Sequence, residues 1–117
     1  MQHDPRAWLW DVRRAGDRVA EYVAARGYDH YLADSMLRGA VERQLEIIGE
    51  ALNRLAREFP DLAARIPDLR KAVAMRNVLI HAYREVDNAE VWRTVRDDVP
   101  RLREMVAALL SELGEQP

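Results

Sequence analysis

The stretch SMLRGAVERQLEIIGEALNRLARE, residues 35–58, decides the fold. Leu37, Val41, Leu45, Ile48, Leu52 and Leu55 recur in it at steps of three and four, which places them on one stripe of an α-helix. Asp34 and Ser35 stand where an N-cap is needed, and Phe59-Pro60 closes the run, because a residue before proline is pushed out of helical conformation. The pattern predicts a helix of about 25 residues. Gly49 lies inside it, where glycine costs about 1 kcal/mol relative to alanine, and its presence predicts another helix in close approach.

Reading outward, the same period recurs on both sides. Asp4-Pro5 reads as the N-cap and first turn of a helix carrying Trp8, Val12, Ala15, Val19, Tyr22 and Val23 on its stripe, with Gly27 as its stop. After the long helix, DLAARI (61–66) leaves room for a short extra helix before Pro67 restarts the chain. Leu69, Val73 and Ile80 then continue a stripe, with Ala72, Met75 and Leu79 beside it. The last helix starts at Asp87, with Glu90 placed as in a capping box, and carries Trp92, Val95, Val99, Leu102, Val106, Leu109 and Leu113. Pro100 falls inside it and predicts a kink or an interruption. Gly and Pro serve as punctuation and β-branched runs are missing. The expected fold is all-α, an up-and-down four-helix bundle in one domain over residues 1–117, with a short extra helix between its second and third members. The closing GEQP is expected to fray.

Composition narrows the chemistry. A chain of 117 residues buries roughly two thirds of its unfolded surface, enough for one core. Cysteine is absent, which removes disulfides, thiolate metal sites and cysteine nucleophiles and suits a reducing compartment. MQHDPRAWLWD offers no apolar leader and Met105–Leu110 is too short to span a bilayer, so the expectation is a cytoplasmic protein without membrane association. A formal charge of −2 argues against general polyanion binding, but residues 70–84, RKAVAMRNVLIHAYR, contain Arg70, Lys71, Arg76 and Arg84 and no acid. Seventeen of the 18 basic residues are arginine, the side chain suited to bidentate phosphate contacts. None of His3, His30 and His81 has a glutamate three residues before it, no zinc spacing occurs, and no glycine-rich phosphate loop is present; neither metal nor cofactor is expected. Glu46 and Glu50, four residues apart, read as a solvated face. Trp10 lies off its helix stripe, which fits either an interface or ordinary partial burial.

The third helix ends in MRNVLIHAYRE, residues 75–85. Asn77 and His81 share a face at i, i+4, Arg76 lies about 140° round from His81, and Tyr83 comes near the same patch if the helix loosens there. From the residues alone, this is either a packing helix with polar ends or an active site.

Arg76, four residues, then His81-Ala82-Tyr83 resembles the RX4HXY signature of the HEPN superfamily, and within it the HepT-like toxins. RQLEIIGEALNRL at 43–55, EVD at 85–87 and VWRTVRDDVPRL at 91–102 resemble that family in order and spacing, so the likeness covers almost the whole chain. Ala82 stands where many members have glycine. The resemblance implies a HEPN-like helical bundle acting as a metal-independent endoribonuclease, the toxin of a type II/VII-like HEPN–MNT toxin–antitoxin system. It implies a homodimer whose two motifs face each other over RNA, with Arg76 and His81 catalytic and Asn77 supporting. It also implies a nucleotidyltransferase antitoxin of the MNT type that attaches AMP to Tyr83. Two other readings stand beside it: an inert HEPN module that binds such a nucleotidyltransferase or a nucleotide, and a nucleic-acid-binding bundle without chemistry.

Overall fold

The computed structural model describes residues 4–114. His3 and most of the GEQP tail lie outside the described residues. The helices are α1 (Pro5–Val23), α2 (Tyr28–Ala33), α3 (Ser35–Glu58), α4 (Pro60–Ala63), α5 (Leu69–His81), α6 (Asn88–Arg93) and α7 (Val99–Leu113). A 3₁₀ turn, Tyr83–Glu85, follows α5, and a π-helical segment, Thr94–Asp98, joins α6 to α7. The protein is thus an all-helical bundle, as the periodicity predicts.

The helix read first is its spine. All six apolar residues of the α3 stripe are buried, joined by Gln44, Gly49 and Ala51. α1 packs on one side of α3 and α5 on the other, while α7 lies against α1. Each fully buried leucine or isoleucine of this spine contributes about 1.5–3 kcal/mol. Asp34 caps α3 by accepting from the Leu37 amide at 3.0 Å, and Asp4 caps α1 by accepting from the Arg6 amide at 2.9 Å.

Three features differ from expectation. First, α1 stops at Val23 rather than at Gly27; Ala25 turns the chain in the left-handed region (φ 59°), and Gly27 instead precedes the unforeseen α2. α2 exists because Tyr28 and Tyr31, three residues apart, both reach the Trp92 ring, with centroids 6.2 and 5.1 Å away. Second, the predicted stripe of α5 is largely not core. Leu79 is its one buried residue, Leu69, Ala72, Val73 and Met75 are half-buried, and Ile80 is exposed, because α5 leans on α3 and, among the described residues, no further helix covers its outer side. Third, Trp8 is half-buried at the core margin under Arg54, and Leu113 is exposed.

The short helix expected in DLAARI forms as α4. The interruption expected from Pro100 appears just ahead of it as the π-segment, where a wider turn accommodates the missing N–H. Asp87 caps α6 through the amides of Ala89 and Glu90, whereas the Glu90 carboxylate turns to Arg93 at 2.8 Å instead of completing a capping box. Trp10 is half-buried against the core with the Arg13 guanidinium 5.1 Å from its ring. Among the described residues no helix is long and apolar enough to cross a membrane.

Candidate active site

The start of α5 is tied to α7 by Arg101. Its Nε donates to Asp68, the residue before α5, at 3.2 Å, and its Nη2 donates at 2.7 Å to the buried Asp98, which Arg93 also engages. The middle of α5 is pressed onto α3 at Gly49. A Cβ on residue 49 would run into the Cβ of Arg76 and stand 2.8 Å from the Ala72 carbonyl oxygen. This close approach, predicted by the costly glycine, lays the aliphatic stem of Arg76 along the α3 backbone.

At the surface, two of the three Arg76 guanidinium nitrogens are engaged and the third has no hydrogen-bond partner. Nη2 donates to Glu50 Oε2 at 2.6 Å, Nη1 donates to Asn77 Oδ1 at 2.8 Å, and Nε is buried. Glu50 in turn accepts from Arg54 Nε at 3.0 Å. The Arg54 hydrogen bond, and after it the charge of Arg76, hold the Glu50 carboxyl below the usual carboxylate range despite partial burial. Sequence reading passed over Glu50 as part of a solvated i, i+4 pair. Glu46 fits that description, pairing at 3.4 Å with Arg43 of its own helix. Glu50, the more exposed of the two, also reaches out of its helix to Arg76, and the signal was Gly49 beside it: a helix that approaches at residue 49 brings its own side chains to residue 50.

His81 is the last residue of α5, exposed, about 7.5 Å along the axis from Arg76. Asn77 and His81 share the outward face with Arg70, but the Asn77 oxygen is turned to Arg76. Ala82 ends the helix with φ −139°, a conformation open to any L residue, so alanine in place of glycine imposes no strain. Tyr83 opens the 3₁₀ turn and is 68% exposed, its hydroxyl reachable by a large partner. Arg70, Lys71 and Arg84 make no ion pair among the described residues, whereas most other arginines are engaged by acids, carbonyls or tryptophan rings. The motif therefore sits on a locally basic surface of an acidic protein. Beside it, an open groove of about 820 Å³ runs between α4 and α5, lined by Ala56, Ala63, Ile66, Val73, Arg70 and Asn77.

Such an arrangement provides a guanidinium held by Glu50 and Asn77, an exposed imidazole and an accessible phenol.

Known proteins resemble the chain over most of its length. The family profile described as "Ribonuclease HepT-like" matches residues 12–109. "Probable ribonuclease HepT" of Thermococcus cleftensis is 36% identical over 103 residues, 88% of this chain and 93% of that protein. "Putative RNase MJ1380" of Methanocaldococcus jannaschii is 33% identical over 105 residues, 90% of this chain and 95% of that one. A longer protein of the same organism, "Gamma-glutamylcyclotransferase and putative RNase MJ0434", is 32% identical over 115 residues, 98% of this chain but 51% of its own length. No solved structure matches. The helical bundle and these relatives lead to one conclusion: the chain belongs to the HepT-like ribonuclease family.

Proposed function

We propose that two copies of this chain form a metal-independent endoribonuclease, the toxin of a HEPN–MNT toxin–antitoxin pair, in which Arg76 and His81 of both copies build one site. The observation that carries this is an Arg76 guanidinium held by Glu50 and an exposed His81 on one helix, α5, whose outward face no helix covers among the described residues. Cleavage needs two proton transfers, and each chain offers one histidine at this place. In the dimer, neutral His81 of one copy takes the proton of the RNA 2′-hydroxyl as its oxygen attacks phosphorus. Protonated His81 of the second copy gives a proton to the departing 5′-oxygen as the P–O5′ bond breaks. The two Arg76 side chains stabilise charge on the phosphorane, with the Asn77 amide supporting. The product ends are a 2′,3′-cyclic phosphate and a 5′-hydroxyl.

The exposure of Tyr83 supports its role as the off-switch. Its hydroxyl oxygen attacks the α-phosphorus of ATP held by the nucleotidyltransferase antitoxin as the phenolic proton passes to solvent, the bond to pyrophosphate breaks, and AMP stays on the tyrosine. The added anion, two residues from His81, then competes for Arg76 and excludes RNA.

The test is cleavage of defined RNA in the presence of a chelator, with end-group analysis. Wild type should yield 2′,3′-cyclic phosphate ends, and His81→Ala should lose about 10²- to 10⁴-fold in rate. Tyr83→Phe should cleave yet escape silencing by the antitoxin. Fragments with 5′-phosphate ends, or undiminished activity in His81→Ala, contradict the mechanism. A wild type that binds the nucleotidyltransferase but cuts nothing points to the inert module.

A further inference from the structure

Arginine carries five N–H donors on three nitrogens. In Arg76, Nε is buried, one donation from Nη2 goes to Glu50 and one from Nη1 to Asn77. One proton remains on each Nη, the number a phosphate needs for a bidentate contact. We propose that Glu50 is the positioning residue of this site: from α3 it holds the Arg76 guanidinium in a single orientation, so that the two remaining protons meet the RNA phosphate. This inference rests on the ribonuclease reading and deepens it.

The surroundings of Glu50 fit such a role. Gly49 brings the Arg76 stem against the α3 backbone, so the guanidinium lands beside Glu50 by packing. Arg54 engages the second carboxylate oxygen, which fixes Glu50 itself and balances its charge near an incoming phosphate. Ordering a long arginine before substrate arrives removes that rotamer cost from the reaction. Both Glu50 carboxylate oxygens are taken, one by Arg76 and one by Arg54, and the Arg54 hydrogen bond holds the carboxyl below its usual range, so the geometry gives it a holding role rather than a proton to donate. Its effect must pass through Arg76.

The experiment compares wild type with Glu50→Gln, Glu50→Ala, Arg76→Ala and Glu50→Ala/Arg76→Ala in steady-state RNA cleavage across neutral pH. Alongside it, ¹⁵N NMR of the arginine side chains and thermal unfolding are recorded for each. Glu50→Ala should lower kcat roughly 10- to 100-fold with little change in KM, while Glu50→Gln, whose amide oxygen still accepts from Nη2, recovers part of it. The shape of the pH profile should stay that of wild type. On the Arg76→Ala background, removing Glu50 should cost nothing further. Undiminished kcat in Glu50→Ala, or a further loss in the double variant, overturns the proposal. Should wild type cut no RNA, the ribonuclease reading fails by itself, and NMR decides the positioning: Arg76 Nη signals resolved in wild type but merged in Glu50→Gln or Glu50→Ala uphold it. Equal averaging in all three overturns it.

Discussion

Two glycines of α3 face opposite surroundings. Beside Gly39 there is open space, whereas a Cβ on residue 49 would strike Arg76 and the Ala72 carbonyl oxygen. Gly39→Ala should therefore stabilise the protein by up to about 1 kcal/mol through helix propensity. Gly49→Ala gains the same propensity but must push α5 away from α3, and overpacking of this kind costs about 1–3 kcal/mol, so it should destabilise on balance. Urea unfolding of the two variants checks the opposite signs. Gly49 was legible in the sequence because glycine inside a long helix needs a reason, and the reason found is the seat of Arg76. The partner of Arg76 was not legible in the same way. A helical wheel places Glu46 and Glu50 on one surface of α3 but says nothing of which neighbouring helix reaches over it, and the crossing decides that Glu50, not Glu46, joins the site.

At the scale of elements, the four long helices could be read because each carries an apolar period long enough to be unambiguous. α2 could not, because six residues show less than two turns of period and what holds them is a contact between Tyr31 and Trp92, sixty-one positions apart. α5 shows the opposite failure. Its composition is that of a core helix, yet Val78 and Ile80 are exposed along with Tyr83. Val78 and Ile80 flank the buried Leu79, one on each margin of the face that α5 turns inward, and the outward face between them carries Arg70, Asn77 and His81. The proposed dimer covers this outward face, and it predicts that Val78→Asp together with Ile80→Asp leaves α3 and the core intact while abolishing dimers. Light scattering coupled to size exclusion should show monomer, circular dichroism should show wild-type helix content, and RNA cleavage should disappear with the dimer. A variant that stays dimeric places the interface elsewhere.

For the molecule as a whole, charge is distributed with a purpose that the net value of −2 conceals. Ion pairs such as Arg103 with Asp17 and Arg65 with Glu112 fasten neighbouring segments of the chain, while Arg70, Lys71 and Arg84 around the motif form no ion pair among the described residues. In the proposed mechanism this positive charge lies along the path of the RNA backbone, and the chain supplies half of a reaction centre whose second half comes from another copy. The most direct test mixes wild type with inactive His81→Ala at constant total chain, allows exchange, and follows RNA cleavage against the fraction of wild type. If each site needs His81 from both copies, only dimers of two wild-type chains act and activity follows the square of that fraction, about a quarter at equal mixing. Activity that falls in direct proportion, about one half at equal mixing, would mean that each chain cuts alone and would contradict the account.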